Sequence, residues 1–239
     1  MATVILARHG RTSANTGGIL AGRSKGVHLD ELGEKQAAAA AVRVAGLPLA
    51  AIVSSPLERC RETAAHISKA QATRVPVRTE RDAAEVDYGD WTGQPLKELV
   101  KEPLWKTVQA HPAGVVFPGG ESMARMSARV VSAVRRWDAQ IESEHGPEAV
   151  WLLSSHGDPI KAILADALGM HLDAFQRIVV DPGSLSVVRY STLRPFVLTV
   201  NSSEGDLSYL KAPPARRTTK RARPRSSDAV VGGGAGPGA

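Results

Sequence analysis

Short apolar runs alternate with helical patterns along most of this chain, and few folds accept that alternation. The runs fall at 3–7, 50–53, 75–78, 149–153 and 184–190, with an edge candidate at 196–200. Strands that read as continuous apolar stretches are buried on both faces and need helices above and below them. The expected fold is therefore α/β, a three-layer arrangement with a mostly parallel central sheet flanked by helices. With 239 residues and 43% hydrophobic composition, the chain can bury a core without disulfides or a structural metal.

Helix starts are marked by capping residues. Asp30 predicts one helix, running to Val44 and stopping at Gly46. Ser55, Pro56 and Glu58 predict a second, with Ser55 as cap and Pro56 in the first turn. Its apolar stripe is Leu57, Cys60, Ala64 and Ile67. From Ser122, the residues Met123, Met126, Val130, Val134, Trp137 and Ile141 recur every three or four positions, the pattern of a core-facing helix. Asp158-Pro159 repeats the cap-plus-proline start for a helix carrying Ile160, Ile163, Leu164 and Leu168.

The formal charge of +6 belongs to one end of the chain. Beyond residue 210 stand Lys211, Arg216, Arg217, Lys220, Arg221, Arg223 and Arg225 against Asp228 alone, so residues 1–210 sum to zero. Pro213-Pro214 and the glycines from Gly232 leave little apolar surface to bury, and 211–239 is expected to be a disordered tail beside a domain at 1–210. No aromatics interleave its basic residues to stack bases, so no specific nucleic-acid partner is expected. Cys60 is the sole cysteine, which points to a reducing, cytoplasmic compartment. No apolar run approaches the roughly 18 residues of a membrane span. The first one is cut by Arg8 and is too short for a signal peptide.

Three polar clusters follow three predicted strands: Arg8-His9-Gly10, Ser54-Ser55-Pro56 with Arg59, and Ser154-Ser155-His156-Gly157. In open α/β sheets ligands bind outside the carboxyl ends of the strands, so these clusters are expected to share one crevice. Two arginines, two histidines and two helix N-termini all suit an anion, and a phosphate dianion fits best.

These residues also carry a family resemblance. The stretch Arg8-His9-Gly10-Arg11-Thr12-Ser13-Ala14-Asn15 resembles the opening signature of the histidine phosphatase superfamily, the phosphoglycerate mutase-like fold. Ser55 to Ala64 is similar to the second block of that family, Glu85 to Gly93 to its third and Ser155-His156-Gly157-Asp158 to its fourth. The resemblance implies that His9 is the nucleophile that accepts the phosphoryl group. It further implies that Arg8, Asn15, Gly22, Arg59, His156 and Gly157 surround that group, and that Glu85 protonates the leaving oxygen, with Asp87 as the alternative donor. No metal and no cofactor are implied. Two positions depart from the family pattern: Ala21 stands where a hydroxyl or amide is common, and Arg11 where Glu is common.

Rival chemistries fit less well. Gly17 to Ser24 approaches a P-loop, but no helix opens directly after it. Cys60 lacks the arginine six positions on that a cysteine phosphatase needs, and His28, His66, His111, His145 and His171 show no paired metal-ligand spacing. A mutase would carry paired arginines in its insertion, whereas 94–120, the expected lid, holds only Lys97, Lys101 and Lys106 and ends in Phe117-Pro118-Gly119-Gly120-Glu121-Ser122. The expected function is metal-independent hydrolysis of a small phosphomonoester. A mutase-type transfer and an idle domain with a nucleic-acid-binding tail are the alternatives.

Overall fold

The computed structural model describes residues 2–203 together with Gly232 and Gly234. Six strands form one sheet: β1 (Thr3–Arg8), β2 (Leu49–Ser54), β3 (Val77–Thr79), β4 (Val150–Ser155), β5 (Leu185–Arg189) and β6 (Phe196–Ser202). Their order is β3-β2-β4-β1-β5-β6. β1, β2, β3 and β4 run parallel, and β5 is antiparallel to both of its neighbours, β1 and β6. The helices are α1 (Ser13–Thr16), α2 (Glu31–Val44), α3 (Glu58–Ala70), α4 (Leu96–Leu99), α5 (Pro103–Ala110), α6 (Met123–His145) and α7 (Gly157–Ala167).

Alternation along the strands divides the core in two. Ile5, Ala7, Ile52 and Leu152 face α2 and α3 through Ala40, Ala41, Val44, Ala64 and Ile67. Val4, Leu6, Val53, Trp151 and Leu153 face the opposite way, onto α6 and α7 through Met126, Val130, Val134, Ile160 and Ile163. Successive side chains of a strand point to opposite faces, so both kinds of position must be apolar here. The three-layer expectation is met.

Of the three expected caps, at Asp30, Ser55 and Asp158, only the first is met, and Ser122, expected only as the start of a helix, also acts as a cap. Asp30 accepts from the Gly33 N–H at the start of α2, and Ser122 accepts from the Arg125 N–H at the start of α6. The other two are corrected. α3 begins at Glu58 with Leu57 in the cap position, and α7 begins at Gly157 with His156 in the cap position. Neither cap makes a side-chain bond. Gly46 is corrected too, because α2 ends on Ala45 in a right-handed conformation and Gly46 has no positive φ. Of the expected lid, only Leu96 reaches the cavity at the strand ends. Trp105 stacks on Trp91 at 6.1 Å, and Val115 and Phe117 are buried in the core.

Leu210 and the tail lie outside the described residues, apart from Gly232 and Gly234. These two line the cavity at the strand ends, 30 and 32 positions beyond the end of β6 in sequence.

Candidate active site

β1 ends at Arg8, β2 at Ser54 and β4 at Ser155, and because the three are parallel these ends share one rim. Turns must leave the sheet there at close quarters. Gly10 permits one of them: a Cβ at Gly10 would collide with the backbone of Gly33, and one at Gly33 with the backbone of Arg11. The α2 start and the turn after β1 therefore interlock, which fixes the direction in which His9 leaves the strand.

His9 is 3% exposed. Its Nδ1 lies 2.7 Å from the Gly10 carbonyl oxygen, so Nδ1 carries the proton and donates it. That tautomer leaves a lone pair on Nε2, which receives the Arg59 Nε–H at 3.3 Å. Burial, then Arg59 and Arg8, hold the imidazole well below its ordinary 6.5. The ring is neutral near pH 7, as a nucleophile must be.

Arg59 sits in the first turn of α3 and is 2% exposed. Its Nη2 donates to the Gly22 carbonyl at 2.8 Å, whereas Nη1 is buried with no hydrogen-bond partner among the described residues. A buried guanidinium nitrogen left unsatisfied is costly, and an oxyanion would satisfy it. Gly22 has a φ of +49°, and a Cβ there would press on Thr92 and Tyr88. Only glycine brings that carbonyl within reach of Arg59 without strain.

Arg8 lies buried at the end of β1, where its Nη1 donates to the Val180 carbonyl at 2.7 Å. His156 is buried behind His9, the ring centroids 5.2 Å apart and the planes at 64°. Its Nε2 is 2.7 Å from Ser55 Oγ and 3.4 Å from Cys60 Sγ. Burial, then Arg59, His9 and Arg8, keep this imidazole neutral as well. Ser55 is thus used to orient a histidine, which is why it is not the cap of α3. Cys60 is fully buried, and burial pushes its thiol up to about 12, so it is inert as a nucleophile.

Glu85 lies in an irregular stretch and is 3% exposed. Its Oε1 accepts from the Val86 N–H at 3.0 Å. Burial, then the Asp158 carboxylate, push it up to about 8, so it holds a proton near pH 7. Asp87 is turned away from the cavity, its carboxylate 42% exposed and 3.6 Å from Arg23. Of the two acids expected from the sequence, only Glu85 lines the cavity.

The cavity has a volume of about 220 Å³, and His9, Thr12, Asn15, Gly22, Arg59, Glu85 and Tyr88 line it beside Ile19, Leu20, Ala21 and Leu96. Asn15 Oδ1 accepts from the Thr12 N–H and hydroxyl, which leaves its amide group as a donor toward the cavity. Arg8, His156 and Gly157 are buried but do not line the cavity itself, Gly157 opening α7. Among the described residues no group of three or more His, Cys, Asp or Glu is arranged to hold a metal ion.

Three participants were not recognised in the sequence. Asp158 is buried in the first turn of α7, accepts from the Tyr88 hydroxyl at 2.8 Å and lies 3.5 Å from Lys161 Nζ. The cap-plus-proline pattern concealed it. Tyr88 lines the cavity, and its position three residues after Glu85 was the available signal. Finally, the Gly232 N–H donates to Asp158 at 3.2 Å while its carbonyl accepts from Arg8 at 3.5 Å.

The chain is similar in sequence and fold to known proteins. A family model described as the histidine phosphatase superfamily, branch 1, matches residues 4–203. Phosphoserine phosphatase 1 of Hydrogenobacter thermophilus is 31% identical over 84% of this chain and 92% of its own length. A Yersinia enterocolitica protein named as a probable phosphoglycerate mutase is 32% identical over 89% of this chain and 97% of its own. A mycobacterial glucosyl-3-phosphoglycerate phosphatase, solved as a complex with VO3, superposes with a TM-score of 0.76 at 27% identity, covering 84% of this chain and 99% of that one. No helix among the described residues is long and apolar enough to cross a membrane. The chain belongs to the histidine phosphatase superfamily, branch 1, and is an enzyme of its phosphatase type, a phosphoric monoester hydrolase.

Proposed function

We propose that the chain hydrolyses small phosphomonoesters through a phosphohistidine formed on His9. The observation that carries this reading is the fixed Nε2 lone pair of a neutral His9 beside a buried Arg59 nitrogen that has no partner. In the first step Nε2 attacks phosphorus, the bond from phosphorus to the leaving oxygen breaks, and the Glu85 carboxyl gives that oxygen its proton. In the second step the Glu85 carboxylate takes a proton from water, the water oxygen attacks phosphorus, and the N–P bond breaks to release phosphate. Acid and base are the same group in its two protonation states.

Arg59, with Arg8 buried close by, supplies positive charge against the equatorial oxygens, and His156 and the Asn15 amide add neutral hydrogen-bond donors, in a site already shielded from water, where such groups are most effective. The residues of the site supply this charge themselves, so turnover is expected to be metal-independent. Gly22 and Gly157 contribute backbone rather than side chains, the latter at the start of α7.

The relative named for mutase activity keeps a transferase reading in view, and one observation opposes it. The cavity wall beyond the phosphate site is Ile19, Leu20 and Leu96, and Lys97, Lys101 and Lys106 do not line it. A bisphosphorylated cofactor needs cations for its second phosphate. The substrate is a small phosphorylated molecule, and the basic tail, outside the described residues, is given no role in binding nucleic acid. We place the enzyme in the cytoplasm on the strength of the lone Cys60.

The test is phosphate release from a panel of metabolite phosphoesters in the presence of a chelator. Release that persists with chelator and vanishes in His9→Ala is expected. Interconversion of 2- and 3-phosphoglycerate faster than release of free phosphate would overturn the hydrolase reading.

A further inference from the structure

The stretch that carries Glu85 has no strand partner, so its backbone carbonyls need donors from elsewhere. One side chain of α6 supplies most of them. Arg129 Nη1 donates to the carbonyls of Asp82 at 2.5 Å and Ala84 at 2.8 Å, and Nη2 donates to that of Glu85 at 3.0 Å. Arg23, from the loop after α1, adds a second donor to the Glu85 carbonyl through Nε at 2.9 Å.

Both guanidiniums are fixed by one carboxylate. Glu121 Oε1 accepts from Arg129 Nη2 at 2.6 Å, Arg23 Nη2 at 2.8 Å and the Asp87 N–H at 2.9 Å, and Oε2 accepts from Arg129 Nε at 3.1 Å. Glu121 is 8% exposed, and its two arginine partners hold it below the ordinary carboxylate range against the opposing effect of burial. None of the three side chains lines the catalytic cavity. They grip the Glu85 stretch from behind, at the carbonyls before it and at the N–H two residues after it.

We propose that Arg129, Glu121 and Arg23 form a clamp that positions the Glu85 carboxyl for proton transfer, so that they are positioning residues of the reaction although they touch no substrate. This rests on the assignment of Glu85 as the acid. Charge-delocalised guanidinium forks suit the task, because one planar group can hold several carbonyls in a fixed relation, which the point charge of lysine does not. A displacement of about 1 Å at a reacting group costs on the order of 10²-fold in rate. The Glu85 carboxyl faces Asp158 of α7, Arg59 of α3 and Arg8 of β1. A loosened stretch would also admit water among these groups and alter the range in which Glu85 holds its proton.

The experiment compares kcat/KM on an alkyl phosphate, which needs a proton donor, with that on an aryl phosphate with a good leaving group, which does not. The ratio of the two is independent of the fraction of enzyme that is folded. In Arg129→Lys the alkyl rate is expected to fall about tenfold to hundredfold, the aryl rate less than threefold, and the basic limb of the alkyl pH profile to move to lower pH. Glu121→Gln should do the same more mildly, because its amide oxygen keeps part of the hydrogen bonding. Arg23→Gln, at a half-exposed position, supplies a variant that folds if Arg129→Lys does not. Ratios within twofold of the wild type with an unmoved basic limb in all three variants would overturn the clamp. Glu85→Gln run alongside separates the two ideas: if it too leaves the ratio unchanged, the acid assignment has failed, whereas a changed ratio there alone removes only the clamp.

Discussion

Helices α6 and α7 pack on the same face of the sheet and begin in opposite ways. At α6 the Ser122 side chain closes on the Arg125 N–H, the end is satisfied locally, and the first turn lies away from the catalytic cavity. At α7 the first turn carries no side-chain cap, His156 points at His9, and Asp158 is buried against Tyr88 and Lys161. α2 behaves like α6, through Asp30, and α3 behaves like α7, because Ser55 goes to His156. Polar side chains that do not reach the two buried histidines stabilise their own helix. Those at the rim stabilise the site, and the helix start is left to an anion or to backbone.

Substitutions at the two kinds of start should therefore have different consequences. The largest effect is expected for Asp158→Asn, which leaves the buried Lys161 ammonium without its counter-charge. Breaking a buried pair in this way costs about 3–5 kcal/mol, so thermal melting should drop markedly. The same change removes the nearest charge that raises Glu85, and the basic limb of the alkyl pH profile should move below its wild-type position. An unchanged limb would show that Asp158 is only structural.

Ser55→Ala and Ser122→Ala sharpen the contrast with one deleted hydroxyl each. Ser55→Ala should lower kcat/KM about tenfold, less than the roughly 10²–10³ lost with a charge-stabilising donor itself. Ser122→Ala should cost about 1 kcal/mol of stability and leave kcat/KM unchanged. Melting curves and rates measured on both proteins would break the comparison if the two losses fell on the same quantity.

The pH dependence follows from the raised acid. With Glu85 as the proposed acid, kcat/KM on alkyl phosphates should be level from the low pH at which His9 loses its proton up to about 8 and fall tenfold per pH unit above it. Aryl phosphates should show no such limb. The same shift has a stability consequence: folded Glu85 holds its proton more tightly than the unfolded chain does. Its contribution is fully present below the ordinary 4.5 and is lost as pH rises through about 8.

The smallest effect concerns the two glycines at the cavity. A chain ending at residue 203 lacks the Gly232 carbonyl beside Arg8 and its N–H on Asp158. The Michaelis constant for a small substrate should fall by a few-fold, since that carbonyl occupies an arginine donor that phosphate would use. A lost kcat instead would mean that the C-terminal end completes the site.

The layers, the strands and the helix α6 were legible because burial on two faces forces apolar periodicity, as in Val4, Leu6 and Val53 against Ile5, Ala7 and Ile52. Arg8, His9 and His156 were legible because they stand at or directly after a strand end, and Arg59 because it lies in the first turn of the helix that follows β2. Asp158 was not, because an aspartate before a proline has the same form whether it caps a helix or lies buried beneath a site. The clamp was hidden for another reason: Arg23 is 98 residues from Glu121, and the targets of the two arginines include backbone carbonyls, which leave no trace in residue type. Gly232 lies in a segment whose composition gave no sign of contact with the domain.

The central claim is that His9 carries the phosphoryl group between substrate and water. Rapid acid-free quenching of the enzyme with a labelled phosphomonoester, followed by peptide mapping, tests it directly. The account predicts one label per chain on His9, stable in base and lost in acid, absent from His9→Ala and reduced but present in His156→Ala. Label retained in His9→Ala, or an acid-stable adduct on Cys60 or any hydroxyl, would contradict it.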